Sequence, residues 1–185
     1  MIKTNKDKLL TLAFQGEIVP AQVVRTYQAT WDGRAKMCIG VGGINYNLKT
    51  GMEIFGWANA DRAEPGVSTD GYGTDGQKNG YRQKTGVGNK VTLISGEAKG
   101  EFGTIIGKHG YRLPNNAQHV QIHFNDDTLD KLSIGDKLRV KGRCIGLQIE
   151  GHDDVMVHSS SPELLEGMNI EGVNGKLNVP VALEV

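Results

Sequence analysis

At 185 residues and 20.0 kDa the chain has the length of one domain, or of two small ones sharing a core, and needs no disulfide or metal staples to bury that core. Its 21 basic and 21 acidic residues balance, so no whole-chain field draws it to nucleic acid or an anionic membrane, although a local basic patch would not show in that sum. No apolar run approaches the about 18 residues of a membrane span. The charged opening MIKTNKDKLL does not read as a signal peptide, and a cytoplasmic chain without a membrane partner is expected.

The two cysteines, Cys38 and Cys144, sit beside apolar neighbours and read as small core residues in a reducing compartment, with a bridge between them as the less favoured alternative. Glycine is the compositional outlier: 26 of them, spread along the chain against five prolines, suggest tight turns between short strands.

In chain order, Leu10, Leu12 and Phe14 alternate with Thr11, Ala13 and Gln15, the period of a half-buried strand over 8–18. Gly16 and the β-branched Ile18 and Val19 favour a bent strand over the helix that Thr4 and Asp7, a weak capping box, would start. QVVRTY at 22–27 predicts a strand, Asp32-Gly33 a tight turn and 36–41 the strand's hairpin partner. A short strand at 44–48, a turn at 49–51 and an apolar run ending at Gly56-Trp57 follow. Residues 68–89 hold almost nothing apolar besides Tyr72 and Tyr81. They read as a long polar, glycine-rich loop, either a flap anchored by those tyrosines or a plain surface loop.

From 88 the alternation returns. Val91 and Leu93 flank Thr92, Ser95-Gly96 turns towards Lys99-Gly100, and a strand is expected at 104–106. This stretch, 88–110, resembles the KOW motif of small barrels in ribosomal and transcription-elongation proteins, in which Lys90, Lys99, Lys108 and Arg112 would meet phosphates. Glu97 and Glu101 interrupt that basic face. QHVQIHF at 118–124 is the cleanest strand, with Val120, Ile122 and Phe124 on one face and His119, Gln121 and His123 on the other. The polar face is expected to be solvated, because histidines four apart on a strand lie too far apart to share a metal.

NDDTLDKL at 125–132 predicts a short helical turn, Gly135-Asp136 a turn into a strand over 137–141, and 144–149 another short strand. His152, Asp153, Asp154 and His158 form the densest ligand-capable cluster, yet their spacing matches no metal motif, and a polar turn explains them better; no metal ligand is assigned. Ser161-Pro162-Glu163 has cap, first-turn proline and acid in the order of a helix start, and Gly167 ends that helix. GKLNVPVALEV closes the chain as a strand.

Site-like composition concentrates at 40–68. Gly42 and Gly43 allow positive φ or close approach to a ligand, and Asn45 offers donor and acceptor. Trp57 and Arg62 complete the ligand-binding candidates. Asp61 and Glu64 are candidate catalytic carboxylates, since a carboxyl whose pKa burial raises does acid–base work, and His109, between glycines at 107 and 110, is the candidate imidazole. The plainer reading makes Asp61, Arg62 and Glu64 a surface ion-pair cluster and Trp57 a core residue. No cofactor is indicated.

Several runs together resemble one family. MIKTNKDKL, GVGGINYNLKTG with FGWA and AEPGVS, ISGEAKG with GTIIGKHG, LSIGDKLRVKGRCIGL and GKLNVPV are similar to the prokaryotic family known as domain of unknown function 4438. The resemblance implies a β-rich fold and carries over no reaction. It also implies a further glycine-rich domain beyond a point like Val185, with a site shared between the two parts. Where family members carry histidine after the aspartate of the tryptophan segment, this chain reads Asp61-Arg62, which weakens a metal or acid–base role there.

The expected architecture is mainly β: an antiparallel barrel or two fused small barrels, with one or two short helices. It is expected as a single β-rich unit over 1–185 with a sub-barrel at 88–150. The expected function is a small-molecule-binding or hydrolase-like site at 40–68; the alternative is a KOW-like RNA-binding or self-assembly module. Apolar strands near both termini offer edges for homo-oligomers. A pocket at Asp61 and Glu64 would favour the small molecule, and a continuous Lys90, Lys99, Lys108 and Arg112 face the nucleic acid.

Overall fold

The structure, a computed structural model, describes residues 2–22, 27–29, 32–37, 42–50, 64–109 and 118–180. Its centre is a closed barrel of six strands: β1 (Leu12–Ile18), β4 (Val67–Gly71), β5 (Lys90–Leu93), β6 (Phe102–His109), β7 (His119–His123) and β8 (Lys137–Gly142). Around the barrel the order is β1-β4-β7-β6-β5-β8, and every neighbour is antiparallel. Ile18, Val67, Val91, Leu93, Ile105, Val120, Ile122, Leu138 and Val140 fill the interior, each at most 1% exposed. Strands β5 to β8 therefore do not close on themselves, as a sub-barrel over 88–150 would. They need β1 and β4 to complete the cylinder and cover its edges.

The β1 pattern is offset from expectation. Phe14, Gly16 and Ile18 face in, whereas Leu10 is 70% and Leu12 37% exposed, because the chain joins the barrel only from Leu12. The hairpin over 22–41 is present in its described part, β2 (Tyr27–Ala29) with β3 (Ala35–Met37), turned by Gly33 at φ +78°. Residues 44–48 form no strand. Ile44 makes one bridge to Val67, and then the Asn45 side chain accepts from the Asn47 and Leu48 N–H groups in a turn.

The largest correction lies in 68–89. That segment is not a loop: it contains most of β4 and the helix α1 (Asp75–Lys84). The helix opens with a reciprocal capping box between Thr74 and Gln77. It lies against a dent formed where Gly16 and Gly71 face each other across β1 and β4. A Cβ on Gly71 would stand 2.5 Å from Lys78 Cα, and one on Gly16 2.7 Å from the Tyr81 ring. The fully buried Tyr81 reaches Thr69 through that dent, hydroxyl to hydroxyl at 2.6 Å. Burial pushes the Tyr81 phenol up, so it stays a neutral donor. Arg82 locks the helix to β4 by a fork on Asp70, at 2.8 and 2.6 Å.

A second, smaller apolar cluster gathers Leu147, Ile149, Leu165 and Ile170, with Ile2, Leu9, Val155 and Val157 packed against it. Here 144–149 is turn and a single bridge, Thr4 to Ile149, and no strand. Helices α2 (Asp126–Leu129) and α3 (Pro162–Gly167) start as expected, the latter capped by Ser161. Strands β9 (Glu171–Val173) and β10 (Lys176–Asn178) make a hairpin around Asn174-Gly175, both at positive φ. Cys144 is a buried free thiol, and Cys38 lies outside the described residues. No helix among the described residues is long and apolar enough to cross a membrane.

Candidate functional site

The site is built where three segments meet: the residues before β4, the end of β6 and the start of β7. Glu64 sits ahead of β4, and Gly66 carries the chain past β7 at φ +72°, so close that a Cβ would stand 2.6 Å from the Ile122 carbonyl oxygen. Asn45 fixes this approach, with its N–H donating to the Gly66 carbonyl at 2.9 Å and its side-chain amide to the Glu64 carbonyl at 3.3 Å. The Glu64 carboxylate is thereby driven inside, its side chain 1% exposed.

Three donors meet that carboxylate. His119 Nδ1 stands 2.9 Å from Oε2, His109 Nδ1 2.5 Å from Oε1, and the buried Ser68 hydroxyl donates to Oε2. Burial pushes the Glu64 carboxyl up, but the hydrogen bonds of His119 and Ser68, the electrostatic attraction of His119 and the His109 bond outweigh it and hold the group below its ordinary 4.5. An ionised carboxylate only accepts, so each imidazole presents Nδ1–H to it and its Nε2 is left for other chemistry.

A β-bulge brings the two histidines together. On β6 and β7, Ile105 pairs with Ile122, but the next pair is Gly107 with Gln121, leaving Ile106 as the extra residue. Beyond it the alternation is inverted: Lys108 pairs with Val120 of the barrel core, and His109 stands opposite His119. His119 and Gln121, expected on a solvated face, are 3% and 5% exposed: Glu64 lies against the His119 ring, and the Gln121 amide stands close over Gly107. Gly42, at φ +101°, lies against the His119 ring, where a Cβ would be 3.0 Å from Cε1, and the Gly43 carbonyl accepts from the Ser68 N–H.

Next to the two histidines opens a cavity of about 140 Å³ lined by Arg82, Lys108, His109, Gln118, His119 and Ser159 among others. A void of about 150 Å³ admits a benzene-sized molecule. Lys108 reaches its wall with Nζ donating to the Thr85 carbonyl at 2.5 Å and 3.3 Å from Ser159 Oγ. Burial pushes its ammonium below the usual lysine value, with Cys144 opposing.

Of the candidates read from sequence, Glu64 and His109 meet as a bonded pair. Gly42, Gly43 and Asn45 surround them as backbone supports, Asn45 with its amide committed to the turn and to Glu64. Asp61, Arg62 and Trp57 lie outside the described residues. Sequence reasoning missed His119, Lys108 and Arg82 as parts of this site. Among the described residues no three His, Cys, Asp or Glu side chains converge to hold a metal ion, and His152, Asp153, Asp154 and His158 form no such group.

The comparisons agree with this architecture. The crystal structure of TM1086 matches with a TM-score of 0.88 and 38% sequence identity, covering 97% of this chain and 61% of that one. This chain thus spans 61% of the length of TM1086. No curated protein matches. The family model described as "Domain of unknown function (DUF4438), N-terminal" matches residues 27–166, and the chain belongs to that family.

Proposed function

We propose that the cavity beside Glu64 binds a small molecule and that the Glu64 and His109 pair serves hydrolysis of it. The observation that carries this is a single buried carboxylate shared by two imidazoles that line the same cavity. Glu64 holds His109 with Nδ1–H inward, so Nε2 is the base that takes a proton from water and returns it to the leaving group. At 45% exposure the His109 side chain has access to solvent and substrate, whereas His119, at 3%, is fixed as a donor or acceptor at the cavity wall. Asn45, Gly43 and Gly66 keep the Glu64 loop against β7, acting through Glu64.

Local charge favours the small molecule over the RNA-binding alternative. Lys108 turns into the cavity, and Lys90 lies over the Phe102 ring at 3.8 Å, so the two lysines do not belong to one outward basic face. The test is a hydrolysis screen over nitrophenyl esters, phosphate monoesters and small amides with wild type, Glu64→Gln and His109→Gln. Loss of the general base lowers kcat by about 10²–10⁴-fold. Turnover that His109→Gln leaves intact would remove the imidazole from the mechanism and overturn the reading.

A further inference from the structure

Among the described residues the cavity holds a cation without a counter-ion, and this points to the chemistry of the ligand. The other charged groups around it are matched. Arg82 is forked onto Asp70, and His109 and His119 share Glu64, which Ser68 also serves. Lys108, partly buried, has no carboxylate within ion-pair distance among the described residues. Its bonds run to a backbone carbonyl, Thr85, and a hydroxyl, Ser159, which use two of the three ammonium donors. Partly buried charge is costly unless something of opposite sign answers it.

Its placement is built into the fold. Without the extra residue Ile106, strand alternation would turn Lys108 outward and His109 towards the interior; the bulge exchanges them. The amine is tethered at its tip by α1's C-terminal flank and by Ser159, which holds a positive φ of 52°. The groups facing it are Arg82 with Asp70, His109 and His119 with Glu64, and the neutral Cys144 thiol, whose titration burial raises.

We propose that Lys108 is an oxyanion subsite: the cavity takes a small acid, carboxylate or phosphate monoester, whose negative end pairs with the Lys108 ammonium while the rest of the molecule faces His109. This rests on the reading that a small molecule occupies the cavity, and it names the class of that molecule. The cavity's size fits one anionic group with a few attached atoms, or the acidic end of a longer ligand. A bound oxyanion restores charge balance where burial now disfavours the ammonium, so binding and protonation of Lys108 reinforce each other.

The test follows the lysine ε-CH₂ signals of ¹³C-lysine-labelled wild type through a pH titration, with inorganic phosphate, with acetate, and with chloride at equal ionic strength. Lys108→Arg assigns the signal. Expected is a saturable shift of Lys108 and an upward move of its titration with an oxyanion and not with chloride. A response to phosphate alone selects the phosphate monoester, and one to acetate alone the carboxylate. Thermal unfolding of Lys108→Met serves as the second measurement, with Lys99→Met, an exposed lysine, as control. Loss of the charged bond weakens phosphate or acetate by about tenfold or more. No saturable response at Lys108, or an equal response in Lys108→Met, overturns the subsite. The hydrolysis screen on His109→Gln is scored separately: loss of turnover without an anion at Lys108 leaves hydrolysis standing and the subsite refuted, and an anion at Lys108 without turnover does the reverse.

Discussion

Replacing Glu64 by Gln isolates the charge at the centre of the site, because the amide keeps the shape of the carboxyl and changes what it can accept. With its oxygen in the place of Oε2, the substituted amide keeps the Ser68 and His119 donors, now to a neutral acceptor. Its NH₂ then faces His109 Nδ1, which must lose that bond or change tautomer. A hydrogen bond to a charged group contributes about 1.5–3 kcal/mol and a neutral one about 0.5–1.5, so two weakened bonds cost about 2 kcal/mol together. The third, to the half-exposed His109, adds about 1 kcal/mol or less once water competes for it. The substitution should therefore destabilise the fold by about 2–3 kcal/mol at pH 7. The pH dependence has a definite sign. The folded carboxyl lies below its ordinary 4.5, so the folded state binds fewer protons there than the unfolded chain. The contribution of Glu64 is complete above 4.5 and fades as pH falls through the folded value, a loss the glutamine variant does not share. Urea unfolding followed by circular dichroism at pH 7 and pH 3 reads both effects. Equal midpoints at pH 7, or a gap between the proteins that stays the same at pH 3, would refute the reasoning.

Two further substitutions test how the scaffold holds this site. Gly71→Ala drives a methyl to 2.5 Å from Lys78 Cα, a backbone atom of α1, and should cost about 1–3 kcal/mol in thermal unfolding as the helix is pushed off β4; an unchanged midpoint would show that α1 is not seated in that dent. In Tyr81→Phe the Thr69 hydroxyl still donates to the Val120 carbonyl at 2.7 Å and loses only the donor it accepts from, so a loss of about 0.5–1.5 kcal/mol is expected by urea unfolding.

The barrel was legible wherever strands announce themselves by apolar alternation. Val91 and Leu93, Val120 and Ile122, Leu138 and Val140 all stand where period two puts them, facing one core. β4 and α1 were not legible, because they are held by means that hydropathy does not see. VSTDG is buried through Ser68 on Glu64, Thr69 on Tyr81 and Asp70 on Arg82, with Gly71 removed from the helix's path. The helix buries only Tyr81 and Arg82, too few for a periodic stripe. Its one local signature was Thr74 followed three residues later by Gln77, a capping box before a stretch with no apolar run to prompt the question.

The site shows the same division at closer range. Glu64 and His109 were identifiable singly, as a carboxylate before a Pro-Gly turn and an imidazole among glycines, and nothing in their separation of 45 residues joined them. His119 was read as half of a pair with His123 along β7, where a strand keeps such residues apart. It pairs instead across the ladder with His109. That partnership depends on register, and register here depends on one residue. Were Ile106 accommodated in the regular ladder, Lys108 would stand opposite His119, on the face of Glu64, and His109 would turn towards the core. With Ile106 bulged out, the carboxylate receives two imidazoles and Lys108 lines the cavity. Which side chains meet the carboxylate therefore follows from backbone pairing, which composition and spacing along a single strand do not report.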